Sequence, residues 1–242
     1  MSAPTDARDR AVRGMFDDVA RRYDLLNRII SFRLDRYWRN EAVTAARQQG
    51  ADLILDLGAG TGDLTFAAAG RGAARVIGLD FSLQMLRLAQ QKRTRMIHGQ
   101  RASFVQGSAL FAPFKSCAFD AIMTTFVLRN ISDLKLFFSE SERLLKPGGT
   151  LVCLDMFPPP RSWFSALYGL YFYRLVPWIG AALSDNGQAY RYLSASVRQF
   201  QSPETITEWI REAGFETVEL RKFLGGAICM HVAQKSSPPA TG

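Results

Sequence analysis

Apolar positions change rhythm along the chain. Val12, Met15, Phe16 and Val19 recur at i, i+3, i+4 and i+7, the period of a helix with one greasy face. A second helical block runs through Trp38 and Val43. Then Leu53-Ile54-Leu55-Asp56-Leu57 makes a short apolar run ending in glycines, as a strand buried on both faces does. Similar runs recur at 75–79, 103–105, 119–125 and 150–154, with helical patterns at 83–92 and 134–145 between several of them. Alternating strand and helix predicts an α/β fold with a doubly wound, mostly parallel sheet. Two further strands, at 217–222 and 227–233, are separated only by Phe223-Leu224-Gly225-Gly226. That is too short for a crossover helix, so they should close the sheet as an antiparallel pair, the sixth and seventh strands.

Composition narrows this picture. A chain of 242 residues, 48% of them hydrophobic, suffices for one sizeable core. The N-terminus, MSAPTDARDRAVRG, mixes acids and bases without an apolar segment, so no signal peptide is expected. Cys117, Cys153 and Cys229 are too few and too scattered for a disulfide framework or a zinc cluster, which suits a reducing cytoplasm and predicts no metal. The net charge of +8 is spread over pairs such as Arg21-Arg22, Lys92-Arg93 and Arg221-Lys222. A nucleic-acid partner would call for a basic stripe and is not expected. An anionic lipid surface needs only a general bias, and an ordinary basic composition explains the charge equally well.

The loop Leu55-Asp56-Leu57-Gly58-Ala59-Gly60-Thr61-Gly62-Asp63 sits where the first strand hands over to a helix. Gly58, Gly60 and Gly62 permit tight turning and close approach of a ligand to the backbone. Dinucleotide folds use such a loop too, so the flanking charges must discriminate. Asp56 and Asp63 would repel a pyrophosphate and suit a ligand with an ammonium group; S-adenosylmethionine carries an ammonium and a sulfonium and no phosphate. Asp63 reads equally as an acid stabilising a helix N-terminus. Asp80 follows Gly62 by eighteen residues at the end of the second strand, placed to accept from two ribose hydroxyls. Ser108 and Ala109 fall where a loop would pass an adenine ring, and Phe81 either lies against that ring or belongs to the core. The fourth strand ends Thr124-Thr125-Phe126, without the Asn/Asp-Pro-Pro-aromatic tetrad of many nucleic-acid amino methyltransferases.

Four motifs in order then resemble the ubiquinone/menaquinone biosynthesis C-methyltransferase family, a branch of the class I, Rossmann-like methyltransferases. They are Tyr23 to Ser31 continuing through Arg36-Tyr37-Trp38-Arg39, then Leu128-Arg129-Asn130-Ile131-Ser132-Asp133, Arg143 to Gly149, and Tyr190-Arg191-Tyr192-Leu193. The resemblance runs from about Met15 to Lys235. It implies one methyltransferase domain: an N-terminal helical cap over 1–50, a cofactor-binding core over 51–156, a helical substrate lid over 157–200, a C-terminal helix and strand pair over 201–235, and a disordered tail over 236–242. It carries cofactor contacts onto Thr61, Asp80, Ser108, Ala109 and Thr125, with Tyr23, Asp24 and Asn27 helping to close the N-terminal helices over the cofactor. Helix capping explains Asp24 almost as well. The chain departs from the family at Leu26, where methionine is usual, at Asp35 for histidine, at Asp155 for glutamate and at Phe157 for serine. Each departure lies in a region expected to face the substrate.

The resemblance further implies methylation of a ring carbon of a polyprenylated hydroquinone, naphthoquinol or benzoquinol. A cation at the phenolate oxygen would stabilise the developing charge, and Arg129 is the first choice; an arginine tied to a local carboxylate such as Asp133 is the alternative. Asn130 either positions the same hydroxyl or serves only as a turn residue. Asp155, Tyr190 and a water held by Arg129 are the candidate general bases. Residues 162–180, SWFSALYGLYFYRLVPWIG, carry seven aromatics, and 157–183 is the segment expected to touch a membrane surface transiently. A buried lid helix or a homodimer contact would use it as well. The expected location is the cytoplasm, with peripheral contact at the inner face of the membrane as the variant. A methyltransferase acting on another hydrophobic acceptor, of polyketide or sterol type, and a scaffold that binds S-adenosylmethionine without catalysis remain as rivals.

Overall fold

A computed structural model describes residues 30–160 and 188–237, together with positions 14, 15, 17, 24, 28, 169, 171 and 172. The elements alternate as the apolar rhythm predicts: α1 (Leu34–Ala46), β1 (Leu53–Leu57), α2 (Asp63–Gly70), β2 (Arg75–Asp80), α3 (Leu83–Arg93), β3 (Ala102–Gln106), β4 (Phe119–Thr125), α4 (Leu134–Leu144), β5 (Leu145–Met156), α5 (Gln188–Arg198), α6 (Pro203–Glu212), β6 (Phe215–Phe223) and β7 (Ile228–Lys235). Local chemistry sets several helix starts. Ser82, Asp133 and Ser202 precede α3, α4 and α6, and each side chain accepts from a backbone N–H of the first turn. Pro203 opens α6, where its missing N–H costs nothing.

The seven strands form one sheet in the order β3-β2-β1-β4-β5-β7-β6. The first five are parallel; β7 runs antiparallel between β5 and β6. The seven-stranded class I methyltransferase architecture expected from the sequence is present, but β5 begins at Leu145 rather than Thr150. Across an irregularity in β4, Phe119 pairs with Leu145 before Ala121 pairs with Thr150, and this carries Lys146-Pro147-Gly148-Gly149 into the strand.

Both sheet faces are covered. One core layer joins Leu55, Leu57, Phe119, Phe137, Phe138, Ile206 and Ile210. The other joins Ile54, Val76, Met123 and Leu154 to Trp38, Ala42 and Val43 of α1. Thus α1 is a layer of the core itself. A third cluster, Ile30, Phe172 and Val197, brings residues on either side of the core segment together. Chain order reverses between β1 and β4, so a crevice opens beyond their carboxyl ends. No helix among the described residues is long and apolar enough to cross a membrane.

Candidate active site

The glycine loop closes the crevice at β1. Gly58, Gly60 and Gly62 all take left-handed backbone angles, which only glycine adopts without cost. Gly58 and Ala59 both donate from their N–H groups to the Leu79 carbonyl, at 2.8 and 3.0 Å. The Gly60 N–H donates to one Asp80 carboxylate oxygen at 2.8 Å, and Ser82 N–H to the other at 2.8 Å. Asp80 therefore straps the loop to the end of β2. A Cβ on Gly58 would stand 2.5 Å from a Val127 methyl, whereas one on Gly60 would meet nothing within 4 Å.

A cavity of about 480 Å³ lies over this loop, and Gly58, Gly60, Thr61, Asp80, Phe81, Ser108, Ala109 and Thr125 line it. Asn130 lines it too; its amide donates weakly to the Phe126 carbonyl at 3.4 Å and accepts from the Tyr192 hydroxyl at 3.1 Å. Asp56 and Gly62, singled out with them in the sequence, stand behind it. The Thr65 hydroxyl donates to the Asp56 carboxylate at 2.6 Å, and Gly62 closes against Phe66 and Phe104. Tyr23 and Asn27 lie outside the described residues.

The acids around the loop differ in charge state. Burial pushes the Asp56 carboxyl up to about 7, against the help of Thr65, and pushes Asp80 up to about 6, against its backbone donors. Burial also opposes the charge on Asp63, but Lys92 at 2.8 Å and Arg39 at 3.6 Å outweigh it and hold that carboxyl below its ordinary value. Lys92 further pairs with Asp24 and donates to the Thr61 hydroxyl at 2.9 Å, while Thr61 donates to Asp24 at 2.6 Å. Asp63 is thus already countered by protein cations, and Asp56 is turned away. The expectation that two acids beside the loop greet a cationic ligand reduces, in this geometry, to Asp63 at the cavity wall.

A second cavity of about 240 Å³ adjoins the first, and Arg39 and Phe126 line both. Its walls are mainly apolar: Ile30, Trp38, Met156, Phe172, Leu193 and Ile228, with the buried polar groups Asp35 and Arg129. Asp35 accepts from the Ser31 hydroxyl at 2.9 Å and pairs with Arg39 one turn on. Arg129 stands on the 3₁₀ turn Leu128–Asn130 after β4 and pairs with Asp155 of β5. Its Nε, also buried, has no hydrogen-bond partner among the described residues.

Three expectations change here. The carboxylate beside Arg129 is Asp155, not Asp133, which is occupied in capping α4 through Leu136 N–H at 2.9 Å. Asp155, a candidate base, is fully buried and lines neither cavity; it accepts from Arg129 and from Met156 N–H, at 2.7 Å for the latter. Phe157 does not face substrate either. Side chains alternate along a strand, so Met156 reaches the second cavity while Phe157 points to the opposite layer, against Phe200 and His231. The side chain of Tyr190 lies outside the described residues, as does Leu26. His231 is held neutral, burial pushing it down to about 4, and its Nε2 lies 2.9 Å from the Pro203 carbonyl.

Sequence reasoning assigned no role to Arg39 or Phe126. The signal for Arg39 was the Asp35/Arg39 spacing of four on an amphipathic helix, a pairing distance that implies contact but not a site. Phe126 carries φ 63, an uncommon left-handed value for a bulky residue.

Comparison of the amino-acid sequence with known proteins converges on one family, and comparison of the structure matches the fold. A demethylmenaquinone methyltransferase from Thermus thermophilus is 41% identical over 223 residues, covering 91% of this chain and all of that protein. The ubiquinone/menaquinone biosynthesis C-methyltransferase of Francisella philomiragia is 31% identical over 234 residues, 96% of this chain and 94% of its own. Among solved structures, a SAM-dependent methyltransferase from Thermotoga maritima superposes with a TM-score of 0.62 at 18% identity, over 92% of this chain and 99% of that one, and shows the shared fold. The model of the ubiE/COQ5 methyltransferase family matches residues 4–235. The protein belongs to the ubiE/COQ5 methyltransferase family.

Proposed function

We propose that the chain methylates a ring carbon of a polyprenylated hydroquinone, with S-adenosylmethionine as donor, in quinone biosynthesis. The observation that carries this reading is the shared wall of the two cavities, made by Arg39 and Phe126. A polar-ended site over the glycine loop and an apolar site with a buried cation meet where donor and acceptor must meet. The first cavity fits the donor: Asp80 retains lone pairs for ribose hydroxyls beyond the two N–H bonds it accepts, and Gly60 leaves open space above the loop. Gly58, Thr61, Ser108, Ala109 and Thr125 would complete its walls. When bound, the donor supplies an electrophilic methyl group on a positively charged sulfur.

The remaining chemistry belongs to the chain. A neutral aromatic carbon is a weak nucleophile, and the phenolate of a neighbouring hydroxyl makes it a stronger one. Arg129, held by Asp155 in an apolar cavity, offers its guanidinium to that phenolate oxygen where little water competes. Asp155 is then a positioning residue. The phenol proton, and afterwards the hydrogen that the new methyl displaces from the ring carbon, leave as protons to Tyr190 or to a water held by Arg129, which restores the aromatic ring. The apolar walls bring ring and methyl group into near-attack geometry. The 41% identity to the Thermus protein, against 31% to the Francisella one, favours a naphthoquinol ring.

The test is incubation of purified protein with S-adenosylmethionine and demethylated naphthoquinol or benzoquinol carrying a short prenyl tail, with products analysed by mass and carbon NMR. A new ring-carbon methyl on the naphthoquinol is expected. A methyl found only on oxygen, or on neither ring, overturns the assignment.

A further inference from the structure

Four of the eight exposed large hydrophobic side chains among the described residues gather around the second cavity, which decides where to look for a surface function. Phe32, 72% exposed, with Leu34 and Leu224, lines the cavity mouth. Tyr37, 51% exposed, follows Leu34 by three positions on α1 and packs edge-on against Phe223, the neighbour of Leu224. The start of α1 and the β6–β7 hairpin thus supply one greasy rim. Backbone conformation props it outward: Phe32, Arg33 and Leu224 all have positive φ, at 50, 64 and 47°, which L residues adopt only when the surroundings impose it.

Charge tells what covers this rim. Arg33 and Arg36 stand exposed among the greasy residues and make no ion pair among the described residues. The nearest acid on the same helix, Asp35, is buried and taken up by Arg39. Aromatic and aliphatic side chains interleaved with free guanidinium groups match the boundary between headgroups and acyl chains of an anionic bilayer. A protein partner would find no acid among these rim residues to pair with its cations, and a second copy would oppose Arg33 and Arg36 with themselves.

We propose that the rim of Phe32, Leu34, Tyr37 and Leu224, with Arg33 and Arg36, docks on an anionic phospholipid bilayer and sets the second cavity open toward it. The inference rests on the proposed function, because a polyprenylated substrate resides in the bilayer. With this orientation the ring enters the second cavity while the tail stays among lipids. The membrane-touching segment expected at 157–183 falls largely outside the described residues; of those described, Tyr171 and Phe172 line the same cavity, and the Tyr171 ring lies 5.5 Å from that of Phe32.

The test is flotation of the full chain with vesicles of phosphatidylcholine alone or mixed with phosphatidylglycerol, with methyl transfer to a short-tailed, water-soluble quinol measured in parallel. Wild type is expected to float with the mixed vesicles. Arg33→Gln/Arg36→Gln/Tyr37→Ser should lower that partitioning about thirtyfold while transfer to the short-tailed quinol stays at the wild-type rate. Phe32→Ser/Leu224→Ser, read for binding alone, should lower it about tenfold or more. Equal flotation of wild type and both variants overturns the proposal, as does wild type that binds no vesicle. So does a rim that proves to be a dimer contact, shown by sedimentation as a dimer that Arg33→Gln/Arg36→Gln/Tyr37→Ser dissociates. If the vesicle results hold but no quinol is methylated, the docking surface stands and the functional assignment fails.

Discussion

The Arg129 guanidinium donates to the Asp155 carboxylate across 26 residues of chain, joining the turn after β4 to the end of β5 with both side chains buried. Neither charge reaches bulk water, so each depends on the other. Removing one partner of such a pair leaves an uncompensated buried charge, whereas replacing both with apolar groups of similar size is often tolerated.

Asp155→Ala should accordingly lose about 3–5 kcal/mol of stability, and Arg129→Met/Asp155→Leu should recover most of it without recovering turnover. Chemical denaturation and a methyl-transfer assay on the same preparations check both halves. Arg129→Ala should bind S-adenosylmethionine as wild type does and turn over poorly. A double variant that methylates at the wild-type rate would remove Arg129 from the mechanism.

Asp80 holds the glycine loop and faces the first cavity. Asp80→Asn keeps the outline but loses the charge and one of the two acceptors used by the Gly60 and Ser82 N–H groups. It should weaken donor binding by about ten- to a hundredfold, the worth of hydrogen bonds to a charged acceptor. Since burial raises this carboxyl to about 6, wild-type affinity should fall as pH drops through that value, when the protonated acid loses acceptor strength. Calorimetric titration between pH 5 and pH 8 reads this dependence, with the buffer range set by about one pH unit either side of the two raised carboxyls. The asparagine variant should show a flat profile.

Asp56 makes the opposite kind of statement, about folding. Its folded value near 7 lies above the ordinary 3.8, so between those values the folded state holds more protons than the unfolded one. Stability from this residue is therefore present at low pH and declines as pH rises toward 7, by up to about 1.4 kcal/mol per pH unit. His231, depressed from 6.5 to about 4, contributes the reverse slope between those two values. Asp80, raised to about 6, adds a decline of its own. The Asp56 contribution is thus read as a difference: Asp56→Asn should remove the Asp56 part, most plainly between about pH 6 and 7. Identical pH–stability curves for variant and wild type would show that Asp56 is charged in the fold.

Gly58 and Gly60 separate folding from binding. Alanine at either position meets a left-handed backbone, costing about 1–2 kcal/mol. At Gly58 the new methyl also collides with Val127, adding about 1–3 kcal/mol. At Gly60 it meets no protein atom and stands in the cavity wall. Gly60→Ala should therefore lose only that backbone cost of about 1–2 kcal/mol, less than Gly58→Ala, yet lose about tenfold or more in donor affinity. Thermal melts with and without S-adenosylmethionine would reveal a ligand-induced rise in Tm that shrinks in Gly60→Ala.

Features that depend on neighbours along the chain are legible in the amino-acid sequence alone. The five parallel strands stand out because strands buried on both faces need unbroken apolar runs, and the turn at Gly58, Gly60 and Gly62 because only glycine accepts those backbone angles cheaply. The short Phe223-Leu224-Gly225-Gly226 link dictates an antiparallel pair, since no crossover fits in four residues. The motifs around Arg129 and Asn130 carry the family.

Tertiary structure decided the rest, because those matters turn on which distant groups share a space. That β7 lies inside β6 follows from its pairing with β5 along seven positions. That Arg129 belongs to Asp155 follows from the adjacency of β4 and β5, and no local pattern could prefer it to Asp133. The parity of side chains along β5 turned Met156 toward the second cavity and Phe157 away from it. Asp63 keeps its charge because α1 and α3 bring Arg39 and Lys92 to it, while Asp56, seven residues earlier, is driven toward neutrality by burial. Sequence marked the glycine loop, Asp80 and Arg129 for attention; packing assigned their charges, partners and cavities.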